Sequence, residues 1–80
     1  MVHIVSAFDE ELVQIQARIS EMGGLSEELL ARALESMQSR DAALARSVIE
    51  RDKILDAMEI AVEESVVKLI AQRQPVASDL

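Results

Sequence analysis

Residues 8–22 read FDEELVQIQARISEM. Phe8, Leu12, Ile15, Ile19 and Met22 recur in steps of 4, 3, 4 and 3. Residues three and four apart share one face of a helix, whereas a strand would need steps of two. A mean step of about 3.5 residues is the period of a helical bundle seam. The row runs on through Leu29 and Ala33, and a second row, Leu30, Leu34 and Met37, takes over. That drift suits an untwisted helix of many turns. Upstream, Ser6-Ala7-Phe8-Asp9 places a hydroxyl three residues before an acid. This is the capping-box pattern, in which the side chains satisfy the backbone N–H groups left open by the first turn.

Gly23-Gly24 falls inside the pattern. Each glycine costs a helix interior about 1 kcal/mol relative to alanine. A kink, or a break with Ser26 capping a new helix, would relieve that cost; close approach of a neighbouring helix would give the glycines a use. The apolar row resumes after the pair, which favours one continuous helix over residues 6–38. Gln38-Ser39-Arg40-Asp41 is the first real punctuation, and Asp41 suits the cap of a second helix over 41–74. Its apolar row is Leu44, Val48, Leu55, Met58, Val62 and Leu69, with Val66 alongside. Arg73 suits the negative end of that helix, and Gln74, preceding Pro75, marks its stop. Pro75 suits the first position of a third helix, begun at 75–80. The expected fold is all-α, a long antiparallel helical hairpin.

The whole chain agrees with this reading. Eighty residues make at most one small domain. Half are hydrophobic, which is ample for folding, and two glycines and one proline leave few turns. The formal charge of −7 disfavours nucleic acid and anionic lipid, whose phosphates call for clustered lysine and arginine. Lys53 and Lys68 are the only lysines. No apolar run approaches the roughly 20 residues that cross a bilayer, and no signal peptide is visible. With no cysteine there is neither disulfide nor thiolate. A soluble, cytoplasmic protein is expected.

Four acids stand out on the second helix. Asp52, Asp56, Glu59 and Glu63 are spaced 4, 3 and 4 apart, so they stack into a single row. At 100° per residue that row centres roughly 90° from the apolar row, on the edge of the buried face. Like charges at this spacing are mildly destabilising. Two readings remain: a solvated face, eased by Arg51 and Lys53 on either side, or a site for positive charge. Carboxylate oxygens suit hard cations such as Mg, Mn, Ca or ferric iron, but one helix cannot surround an ion.

Catalytic patterns are missing. His3, the single histidine, precedes the first cap with no acid or cysteine at ligand spacing. The Glu-x-x-His pair of a di-iron bundle is absent, as is a glycine-rich phosphate loop. Met22, Met37 and Met58 lie on apolar rows and are expected in the core.

Four stretches together resemble the N-terminal part of the PhoU family. They are Phe8-Asp9-Glu10-Glu11-Leu12, Met22-Gly23-Gly24-Leu25, the run DKILDAME over Asp52 to Glu59, and Ile70-Ala71-Gln72-Arg73-Gln74-Pro75 with Asp79-Leu80. PhoU-like proteins are tandem repeats of a three-helix bundle. Each repeat carries an acid-x-x-x-Asp pattern on its second helix and another on its third, and these patterns hold metal ions. The resemblance implies that residues 1–80 are a partial first repeat and that Asp52 and Asp56 carry the second-helix pattern. Glu59 and Glu63 extend the row by helix geometry. Iron, zinc, magnesium or manganese is implied for a complete protein. In a chain lacking the third-helix acids, binding is expected to be weak or absent.

The implied role is a non-enzymatic cytoplasmic regulator of phosphate uptake and phosphate-starvation signalling. It would act as an adaptor between the phosphate ABC transporter ATPase and its sensor histidine kinase. The rival reading is a self-assembling helical scaffold. Both agree with a homo-oligomer, because a hairpin leaves a groove along Leu12, Ile19, Val48, Leu55 and Val62 that a second copy can close.

Overall fold

The computed structural model describes residues 6–73. Two helices account for almost all of them: α1, Ala7–Ser39, and α2, Ala42–Arg73. Three of the helix ends anticipated from sequence differ from these by one residue, and the end anticipated at 74 lies outside the described residues. The expected helix start at 75–80 and His3 lie outside the described residues.

Local chemistry sets each end. The Ser6 hydroxyl accepts the Asp9 N–H at 3.1 Å and donates to the Asp9 carboxylate at 2.8 Å. α1 runs through Gly23-Gly24 without a break, and neither glycine has positive φ. It ends at Arg40, whose φ of 55° and ψ of 43° are left-handed. The Asp41 N–H donates to the Ser36 carbonyl at 2.9 Å, and the Arg40 N–H donates to the Met37 carbonyl at 3.4 Å. This is the Schellman closure, made here without the usual glycine. Asp41 then caps α2, its side chain accepting the Leu44 N–H at 3.0 Å. One aspartate thus closes one helix and opens the next, and so short a link returns α2 alongside α1.

The helices meet along one seam. Phe8, Ile15, Met22, Leu25, Leu29 and Ser36 face Leu44, Val48, Leu55, Met58, Val62 and Leu69, all buried or half-buried. Ile15, Val62 and Leu69 form the core cluster, with Phe8, Met22 and Val66 packed on it. Ser36 is buried too, its hydroxyl returning to the Ala33 carbonyl at 2.7 Å.

The apolar row expected on α1 is split by this packing. Leu12 and Ile19 are 37% and 50% exposed, and Leu30, Leu34 and Met37 are exposed as well. With one partner helix, only a line near period 3.5 faces inward, and residues one step past it fall on the flank. Met37 is therefore a surface residue, while Met22 and Met58 are half-buried. The expected groove is corrected in the same way. Val48, Leu55 and Val62 belong to the seam, and Leu12 and Ile19 stand outside it.

Candidate functional site: an acidic flank beside an apolar one

Asp52, Asp56, Glu59 and Glu63 all lie exposed on one flank of α2. Ile49 and Ile70 extend their row at either end and are exposed as well. The facing wall comes from α1. A hollow of about 220 Å³ brings Asp52 beside Ser26, Leu30 and Ala33, over Leu29, Val48 and Leu55. A second, of about 470 Å³, brings Glu59 and Glu63 beside Met22, with Val62, Val66 and Val67. The two hollows place the acids and the Ser26–Ala33 edge of α1 on the same side of the hairpin. That side has one apolar wall and one acidic wall. Gly23 and Gly24 have nothing within 4 Å of where a Cβ would stand.

The acids have no ion-pair partner among the described residues. The cations expected to ease them point elsewhere: Lys53 Nζ pairs with Glu50 at 3.2 Å, and Arg51 pairs with Glu28 at 3.0 Å. The Arg51–Glu28 pair joins the two helices on the side away from the acids. The Arg51 hydrogen bond and charge, with a smaller contribution from Arg32, hold the Glu28 carboxyl below its ordinary value. Sequence reading missed this pair because its members are far apart in the chain and neither belongs to a motif.

The donor chemistry of the acid row suits a hard cation. Its geometry is one-sided: among the described residues no three carboxylates, imidazoles or thiolates are grouped to hold a metal ion. Asp52 edges one hollow and Glu59 with Glu63 the other, while Asp56 edges neither.

The opposite side of the hairpin is polar near its open end. Glu11, Gln14, Arg18, Ser65, Lys68 and Gln72 surround a hollow of about 220 Å³ floored by Ile15 and Leu69. Among the described residues no helix is long and apolar enough to cross a membrane.

The described residues thus define a helical surface module: a hairpin with two unlike flanks, one of them acidic and apolar. The family model for the PhoU domain matches residues 19–80, and the chain belongs to the PhoU family. It is 51% identical over 78 residues to the phosphate-specific transport system accessory protein PhoU homolog of Rhizobium meliloti (strain 1021), covering 98% of this chain and 33% of that protein. It is 45% identical over 78 residues to the phosphate-specific transport system accessory protein PhoU of Escherichia coli (strain K12), covering 98% of this chain and 32% of that one. The PhoU homolog of Caulobacter vibrioides (strain NA1000 / CB15N) is 37% identical over 78 residues, with 98% and 34% covered. The chain spans about one third of the length of these curated relatives. No solved structure gives a significant match.

Proposed function

We propose that this hairpin is the first part of a non-enzymatic regulator of phosphate uptake and phosphate-starvation signalling. The observation that carries the reading is the match over 98% of the chain to proteins named as phosphate transport accessory proteins. The architecture supports it. A two-helix surface with no enclosed chamber among the described residues is suited to docking on other proteins. The partners in this reading are the phosphate ABC transporter ATPase and its sensor histidine kinase, met on the cytoplasmic side of the membrane. The test is genetic. Loss of the full reading frame should switch on phosphate-starvation genes in phosphate-rich medium, and the intact frame should restore repression. Unchanged expression and unchanged phosphate uptake in the deletion strain would refute the role.

The acidic flank is the proposed metal face of the complete protein. Asp52 and Asp56 supply the first carboxylates, Glu59 and Glu63 extend the row, and acids on a further helix complete the shell. Iron, zinc, magnesium or manganese are the candidate ions, and their demand for about six or more oxygens in the hard-ion cases is why a second element is needed.

A homo-oligomer belongs to the same reading. Leu30 and Met37 are 69% and 71% exposed on one side of α1, and Ile60 and Val67 are exposed on α2. Apolar surface on this scale favours association. That observation also keeps the second reading, a self-assembling helical scaffold without a signalling role. The deletion experiment separates the two.

A further inference from the structure

Acids outnumber lysines and arginines in this chain by 15 to 8. Arg32, Arg51 and Lys53 are accordingly held in ion pairs. Arg18 and Lys68 have no ion-pair partner among the described residues, although Glu21 and Glu64 lie about one turn away on their own helices. Yet these two cations line the same hollow, the polar one near the open end of the hairpin. They reach it from different helices, on the side away from the acid row.

Each helix brings three polar residues to that hollow at steps of three and four. α1 gives Glu11, Gln14 and Arg18, and α2 gives Ser65, Lys68 and Gln72. Such spacing keeps each set on one face. The helices are antiparallel, so the order from the open end inward is Glu11, Gln14, Arg18 along one wall and Gln72, Lys68, Ser65 along the other. The hollow therefore has a polarity. Its inner part carries a guanidinium, an ammonium and a hydroxyl, while its outer end carries a carboxylate and a carboxamide. From Glu11 to Arg18 is about 10 Å along the axis. Ile15 and Leu69, 7% and 5% exposed, form the floor and fix both walls to the seam.

An arginine fork grips two oxygens of an oxyanion at once, and lysine adds a point charge. Ser65 and the two carboxamides add neutral donors. Two cations match the charge of about −1.5 to −2 on a phosphate monoester better than the single charge of a carboxylate. Glu11 repels a second anionic group but accepts hydroxyl donors. It stands beyond the Debye length of about 8 Å from a phosphate held at Arg18. No lining residue is aromatic, so nothing there stacks a nucleobase. The volume of about 220 Å³ suits a ligand below drug size. We propose that this hollow binds a small, hydroxyl-bearing phosphate monoester, its phosphate between Arg18 and Lys68 and its hydroxyls toward Glu11. Such a site would stand whether or not the protein regulates phosphate uptake, and it uses none of the acid row.

The experiment is calorimetric titration of the protein of the full reading frame with glycerol 3-phosphate, inorganic phosphate and glycerol. Glycerol 3-phosphate should bind with a dissociation constant of about 1 mM or tighter, inorganic phosphate at least fivefold more weakly, and glycerol not at all. Arg18→Gln and Lys68→Gln should each weaken the ester at least fivefold, and Lys68→Glu should abolish binding. Arg46→Gln removes the same charge about 28 Å along α2 from Ser65 and should change nothing. Glu11→Gln should weaken the ester and spare inorganic phosphate. Circular dichroism checks that each variant keeps its helicity. No binding by the parent, or an equal loss from Arg46→Gln, would overturn the site. Inorganic phosphate binding as tightly as the ester would overturn the assignment of its hydroxyl end. None of these results bears on the deletion experiment, so the site and the regulatory role fail separately.

Discussion

Replacing Gly23 and Gly24 by alanine should stabilise this chain. Both residues are helical, and a Cβ built at either would meet nothing within 4 Å. The substitution therefore has no steric cost in the hairpin. What remains is the intrinsic preference of a helix interior, about 0.8–1.0 kcal/mol per glycine replaced. The double variant should gain a little under 2 kcal/mol, since the two sites share no partners. For a domain of 60–100 residues 1 kcal/mol moves the midpoint by about 4–8 °C, so the double variant should melt about 7–15 °C higher. Thermal melts by circular dichroism, at one fixed chain concentration, read the shift directly. Concentration must be held because association itself moves the midpoint. No gain, or a loss, would refute the reasoning by showing that something packs against the glycine backbone in solution. Gly23 lies on the flank that faces the acid row, so in a longer protein that covers this flank its substitution should lose the benefit. Gly24, one step further round, should keep it.

Two further outcomes follow from the caps and the acid row. Arg40 holds a left-handed conformation that costs a non-glycine residue about 1–2 kcal/mol, so Arg40→Gly should raise the urea midpoint by an amount worth about 1 kcal/mol, with the slope unchanged. In the complete protein, changing Asp52 and Asp56 together to asparagine should abolish metal uptake by the first repeat while leaving helicity intact; calorimetric titration with Mn²⁺ and Fe³⁺ reads this, and unchanged uptake would make the row a solvated face.

The helix ends were legible because their causes are local. Ser6 and Asp41 each bond to a backbone N–H three residues on, and a bond of that reach is written in four consecutive letters. The seam on α2 was legible for a related reason, since its apolar residues keep one spacing from Leu44 to Leu69. On α1 the spacing was equally clear but ambiguous by one position. Leu12 and Ile19 fit the row as well as any residue does, and Glu11 stands on the seam in a half-buried place. Hydrophobicity alone does not choose between adjacent lines on a helix; the partner does. The acid row was visible as spacing, and its place on a flank followed from the angle. Its isolation from Arg51 and Lys53 did not follow, because a cation beside an acid in sequence has several carboxylates within reach. Arg51 selects Glu28 on the other helix, and Lys53 selects Glu50 one turn back.

α2 is the harder helix to read, and the difficulty has a physical meaning. An amphipathic helix shows where its core lies because one side is apolar and the other is not. α1 does this tolerably well: its charged residues Glu10, Glu21, Glu27, Glu28 and Glu35 avoid the side that carries Leu12, Ile19 and Ala33. α2 mixes acids, small residues and large aliphatics on every side, so no single direction is favoured. Such a pattern costs solubility where its aliphatics stay exposed, and covering its acids costs desolvation unless they are paired. The seam with α1, the acid row, and a third line through Glu50, Ala57, Ala61 and Lys68 lie roughly 90° to 150° apart around the helix at 100° per residue. Each has its own chemistry: apolar against α1, carboxylates beside apolar residues on the acid row, and small and charged residues on the third. The hairpin is then best understood as α2 with three distinct faces, of which α1 occupies one.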